Sequence, residues 1–233
     1  MQHIVSNKKT ARIAGLIYLI VVLTGIFSLM YVPSKIFVTG NAVLTYQNIV
    51  SSETLFRLGI VSGLLCYTFF LFLPLVLYKL LYPVNKNHAI LMVILAVTSV
   101  PISFINIQNK FAILSLISRS GYPDVFSAAQ IQSQVLFYLD QYDNGILIVS
   151  IFWGLWLFPF GYLVYKSGIL PKVLGILLML GCFGYLINFL GNTLISDYST
   201  LGISSYISLP ASLGEIGTCL WLLIAGAKDY RKV

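Results

Sequence analysis

The chain has 233 residues, of which 58% are hydrophobic and 9% charged, with a formal net charge of +7. Soluble globular domains carry about a quarter of their residues charged, so this balance excludes that class, and the length allows one compact helical bundle without a separate soluble domain. Cys66, Cys182 and Cys219 follow no disulfide or metal spacing, and neither His3 nor His88 lies within an apolar run, which excludes a haem held between two intramembrane histidines.

The first apolar run follows Lys8, Lys9 and Arg12 and continues from Ile13 to about Val32, with no small-residue cleavage site before Pro33. It reads as a retained anchor that forms the first span, and not as a removable leader. Five further runs approach or exceed the ~20 residues that cross a bilayer as helix. The expected spans are approximately 12–32, 55–81, 89–116, 135–165, 172–195 and 207–227. The fold class is all-α: an integral membrane bundle of six transmembrane helices, taken as a single domain over residues 1–233.

Within the spans, Gly59 and Gly63 make a GxxxG pattern that permits close helix approach. Pro74, Pro101 and Pro159 each remove an amide and free a carbonyl one turn earlier, so kinks that shape the bundle are expected. The three cysteines read as small buried hydrophobes. Tyr31, Tyr78, Tyr82, Tyr165 and Tyr198 fall near span ends as interfacial anchors, while Trp153, Trp156 and Trp221 lie deeper and read as packing residues.

Loop two, Tyr82 to His88, and loop four, Lys166 to Pro171, are short and basic. Loop one, Pro33 to Thr54, and loop three, near Ile117 to Gln134, are longer and polar. One side of the bilayer gathers Lys8, Lys9, Arg12, Lys79, Lys86, Lys166, Lys172, Lys228, Arg231 and Lys232, leaving Lys35, Arg57, Lys110 and Arg119 opposite. The acids sort the other way, with only Asp229 joining the basic side. The positive-inside rule then places both termini in the cytoplasm. The net charge reflects that orientation, and no nucleic-acid partner is needed to explain it.

Charge in or near hydrocarbon is costly and usually faces a partner, a water pocket or a ligand. Arg57, Lys110, Asp140, Asp143 and Glu215 lie in or at the edge of four apolar runs, all toward the outer side in this topology. Helical spacing groups Asn106 and Asn109 with Lys110, Asn144 with Asp140 and Asp143, and Asn188 with Asn192. Glu53 and Arg57 are spaced as a helix pair. Glu215, flanked by Leu213-Gly214 and Ile216-Gly217, is the most committed to an apolar setting, whereas Asp140 and Asp143 precede a stretch already long enough to span.

Three readings of this set are open. It can bind a small molecule, lipid or ion in a polar pocket of a transport-type protein, with Arg57 and Lys110 holding an anionic group while Asp140, Asp143 and Glu215 balance charge. It can be a lattice that only fixes helix packing, with Arg57 or Lys110 against Glu215. Or it can serve a membrane-embedded hydrolase or transferase with Glu215 as general acid or base, although no nucleophile or metal triad accompanies it. Asp140, Asp143 and Glu215 offer oxygen ligands to a hard cation, but no metal-binding loop motif is present. No Gly-x-Ser-x-Gly elbow, GxGxxG or Walker loop occurs, and no cofactor is expected.

Several blocks resemble a known family. They are Ala11-Arg-Ile-Ala-Gly-Leu-Ile-Tyr18, Tyr31-Val-Pro-Ser-Lys35, Leu55-Phe-Arg-Leu-Gly-Ile60 and Leu80-Leu-Tyr-Pro-Val-Asn85, then Gly161-Tyr-Leu-Val-Tyr-Lys-Ser-Gly-Ile-Leu-Pro171 and Leu213-Gly-Glu215 with Trp221-Leu-Leu. In this order they are similar to the bacterial multi-pass membrane group catalogued as domain of unknown function 4386. The resemblance implies a polytopic protein of the bacterial cytoplasmic (inner) membrane without an established activity, and makes Arg57 and Glu215 family positions. It also implies an arginine near Val97 to Val100 and a histidine near Trp156, and this chain has neither.

Overall fold

The computed structural model describes residues 7–118 and 125–228. His3, Arg119, Asp124, Asp229, Arg231 and Lys232, named above, lie outside them. Among the described residues the structure is all-helical, with no strand. The helices are α1 (Asn7–Ile26), α2 (Val32–Ile36), α3 (Ala42–Ser51), α4 (Glu53–Leu81), α5 (Lys86–Ser118), α6 (Ala128–Leu155), α7 (Leu157–Ser167), α8 (Lys172–Leu194) and α9 (Ile203–Ile224). A π-helical turn, Phe27–Tyr31, joins α1 to α2, and a 3-10 turn, Tyr198–Leu201, precedes α9. Six helical stretches are long and apolar enough to cross a membrane: Asn7–Ile36, Glu53–Leu81, Lys86–Ile117, Ala128–Ser167, Lys172–Leu194 and Ile203–Ile224. Each contains or closely matches one expected span.

The structure corrects the loops. Loop one is largely helical: α2 extends the first span to Ile36, α3 occupies residues 42–51, and α4 begins at Glu53. Asn41 caps α3, its Oδ1 accepting from Leu44 N at 2.9 Å, and one face of the helix buries Thr45 and Ile49. Loop two ends earlier than expected, because Asn85 Oδ1 accepts from His88 N at 3.1 Å and starts α5 before the histidine. Loop three ends at Ser127, where a Ser127–Gln130 capping box opens α6. A fourth proline, Pro210, also lies inside a spanning helix. Pro159 sits just past the α6–α7 break at Trp156; its missing amide leaves the Leu155 carbonyl without its helical donor.

The described chain divides into two compact units, and the division falls inside α1, α4, α5 and α6. One unit holds residues 1–20, 69–100 and 147–233. Its centre is α8, which packs against both α7 and α9. Glycines make those contacts possible. A Cβ on Gly175 would lie 2.6 Å from the Gly161 carbonyl oxygen, and one on Gly181 would lie 2.7 Å from Ala211 Cα. On α1, a Cβ on Gly15 would strike the α9 backbone at Leu223, so these two helices touch main chain to main chain. Trp156 is fully buried, edge-on to Phe70 and stacked on Phe160, a packing role.

The second unit holds residues 21–68 and 101–146. Here the GxxxG pair meets the π-helical turn: Gly59 faces Val32, and Gly63 faces Ser28. Ser28 Oγ donates to the Gly59 carbonyl at 2.8 Å, so the close approach also satisfies a buried hydroxyl. Asn48 Nδ2 donates to the Ile36 carbonyl at 3.0 Å, tying α3 back to the end of α2. Cys66, Cys182 and Cys219 are free and buried.

Candidate functional site

The polar residues singled out in the sequence form separate clusters within the two units. In the second unit, α5 carries Asn106, Asn109 and Lys110 on one face. Asn109 Nδ2 donates to the Asn106 carbonyl and side-chain oxygens, both at 3.1 Å. Asn106 Nδ2 donates across to the Tyr142 carbonyl of α6 at 2.8 Å. Gly145 makes room for that amide, since a Cβ there would collide with it. Lys110 is 3% exposed, and its Nζ stands 3.9 Å from the centroid of the Tyr142 ring. No described carboxylate closes on it as an ion pair. Asp143 is its electrostatic neighbour but lies beyond ion-pair reach. The Tyr142 hydroxyl is buried beside that of Tyr67 without completing a hydrogen bond.

Asp140, Asp143 and Asn144 occupy the exposed side of α6, next to the buried Tyr142. Arg57 does pair with Glu53 one helical turn back: Nη2 lies 2.6 Å and Nε 2.7 Å from Glu53 Oε1, with both side chains part-exposed.

In the first unit, Glu215 on α9 is part-buried and surrounded by phenols. Tyr18 of α1 donates its hydroxyl to Glu215 Oε1 at 3.4 Å, and Tyr185 of α8 is an electrostatic neighbour of the same carboxyl. One turn further, Cys219 Sγ donates to the Gly15 carbonyl at 3.8 Å. Thr218 is fully buried, and its Oγ1 has no hydrogen-bond partner. Asn188 and Asn192 form a knot of their own. Asn188 Nδ2 donates to Ser208 Oγ at 2.9 Å, its Oδ1 accepts from the Tyr198 hydroxyl at 2.7 Å, and Asn192 Nδ2 donates to its carbonyl at 2.8 Å. Tyr198 is thus buried over Gly191 and is not an interfacial anchor.

The five charges therefore divide between the units: Glu215 belongs to one, and Arg57, Lys110, Asp140 and Asp143 to the other. Among the described residues no trio of histidine, cysteine and carboxylate side chains comes together, so the hard-cation reading gains no support. Sequence reasoning missed Tyr18, Tyr185, Tyr142 and Thr218. The available signal was tyrosine placed well inside a span, where a hydroxyl needs a polar partner.

Residues 13–226 match the profile of a domain of unknown function, DUF4386. The chain belongs to this family. A relative in Archaeoglobus fulgidus, described as an uncharacterized protein, is 33% identical over 127 residues, which is 52% of this chain and 69% of the relative. No solved structure matches. Together with the six apolar helices, the family places the chain among multi-pass membrane proteins of unknown function.

Proposed function

We propose that this DUF4386 chain is a binding or transport-type protein of the bacterial cytoplasmic membrane, taking the anionic group of a small molecule or lipid at Lys110. The observation that carries this reading is a lysine buried in a spanning helix with no described carboxylate in ion-pair reach. A lysine at the centre of a span costs about 2.5–3.5 kcal/mol on insertion scales, and that is the upper bound for Lys110, which stands about two turns from the end of the span Lys86–Ile117. The Tyr142 ring offsets about 0.5–2 kcal/mol of such a cost. An arriving carboxylate or phosphate supplies the missing counter-charge, with the unpaired Tyr142 hydroxyl as a further donor.

A second reading, an accessory protein whose polar groups only fix packing, is favoured by the Asn188 knot, where the side-chain amide and carbonyl are both satisfied within the fold. Thermal unfolding in detergent, with a panel of carboxylates and phosphates, separates the two. The binding reading expects at least one compound to raise the midpoint of the wild type, and Lys110→Met to abolish that rise while staying folded. Loss of stability in Lys110→Met, with no compound shifting the wild type, would transfer the lysine to the packing reading.

A further inference from the structure

We infer that a cleft between the start of α1 and the end of α9 holds one anionic glycerophospholipid, separately from the Lys110 site. The cleft is a shallow groove of ≈ 670 Å³, open along most of its length and lined by Lys8, Lys9, Arg12, Ile13, Leu16 and Leu223. Its wall on α1 is ordered along the helix axis. Lys8, Lys9 and Arg12 supply three cations in the first turns, and Ile13 and Leu16 continue the same face into the span. Leu223 adds apolar surface from α9, and no acid lies among the six lining residues.

This sequence of chemistry, cationic and then apolar toward the bilayer interior, matches an amphiphile with an anionic head and an acyl chain. A free phosphate would use only the first half of it. Basic clusters at the end of a span attract anionic headgroups, and their long stems cover apolar surface while the charge stays in the interface. The cleft is also held in shape. Gly15 brings the α1 backbone onto that of Leu223, and Lys8 lies against the Gly226 turn, where the backbone has φ +73°. The three cations are therefore carried on a fixed helix pair.

The test uses the full chain in nanodiscs of phosphatidylcholine doped with phosphatidylglycerol, followed by native mass spectrometry of the released protein. The wild type is expected to retain one phosphatidylglycerol in preference to phosphatidylcholine. The K8Q/K9Q/R12Q variant should retain it about tenfold less or worse, whereas Lys35→Gln, which removes an exposed cation on α2, should retain it unchanged. Raised salt should weaken retention by the wild type, a readout that stands even if the triple variant fails to fold. Equal retention of the two lipids, or retention insensitive to both salt and the triple substitution, would overturn the assignment. Displacement by millimolar inorganic phosphate would overturn the lipid as occupant and leave a simple anion. Because the triple substitution leaves Lys110 and Tyr142 in place and Lys110→Met leaves all six lining residues of the cleft in place, either reading can fail alone.

Discussion

Glu215 shows how a carboxyl is accommodated in a span without a cation: the Tyr18 phenol of α1 donates to it, and the Tyr185 phenol of α8 stands beside it. Interhelical hydrogen bonds in membranes average about 0.6 kcal/mol and reach about 1.7. The 3.4 Å Tyr18 contact is long, so Tyr18→Phe should sit at the low end of that range. Glu215→Gln keeps an oxygen acceptor for Tyr18 and a polar group beside Tyr185 and should cost little, whereas Glu215→Leu strands the Tyr18 hydroxyl, leaves Tyr185 an apolar neighbour and should cost the most of the three. Thermal unfolding in detergent ranks them. If Gln proves as damaging as Leu, then the charge itself is required and the phenol account is wrong. The sequence made Glu215 and Lys110 conspicuous because a charge inside an apolar run is expensive whatever surrounds it. Their partners were not legible. Tyr18, Tyr142 and Tyr185 count as apolar in a hydropathy pattern, and only helix rotation decides whether a phenol faces a carboxyl or lipid. Asp140 and Asp143 looked equally charged in sequence, yet one position of rotation separates exposed Asp143 from buried Tyr142.

Glycine contacts, more than polar ones, bring helices together in the α7–α8–α9 layer. The Gly161 and Gly175 backbones meet so closely that any side chain at 175 must displace the α7 carbonyl or Tyr165. Gly175→Leu should therefore destabilise by about 1–3 kcal/mol or more through overpacking. Gly217→Ala is the contrasting case, since its new methyl meets only the flexible end of Leu174 and should be tolerated. Comparable folded yields from detergent for both variants would remove the tight interface from the account. The spans themselves were legible from length and apolar composition, which are local properties. The glycine seam was not, because Gly175, Gly181 and Gly184 lack the four-residue spacing that made Gly59 and Gly63 visible. Helix α3 escaped for a related reason. Its ten residues, AVLTYQNIVS, are too few to read as a span and too short to hold a helix by themselves until tertiary packing buries Thr45 and Ile49.

An even number of spans returns the chain to the side it started from, whichever side that is; the distribution of Lys and Arg chooses between the two. The turns after α4 and α7 carry Lys79, Lys86, Lys166 and Lys172 at their flanks, as the start of α1 carries Lys8, Lys9 and Arg12. The connection between α2 and α4 is flanked by Lys35 and Glu53, and that between α8 and α9 carries Asp197. Cysteine labelling suits this chain because its three native thiols are buried. Thr39→Cys and Ser196→Cys, both at exposed positions, should react with a membrane-impermeant maleimide on intact cells, while Asn87→Cys should react only after permeabilisation. The reverse pattern would invert the expected orientation while leaving six spans intact, and would put the Lys8–Arg12 cleft in the outer leaflet. Labelling of Thr39→Cys and Asn87→Cys from the same side would be more damaging, because residues 53–81 would then not cross the membrane at all.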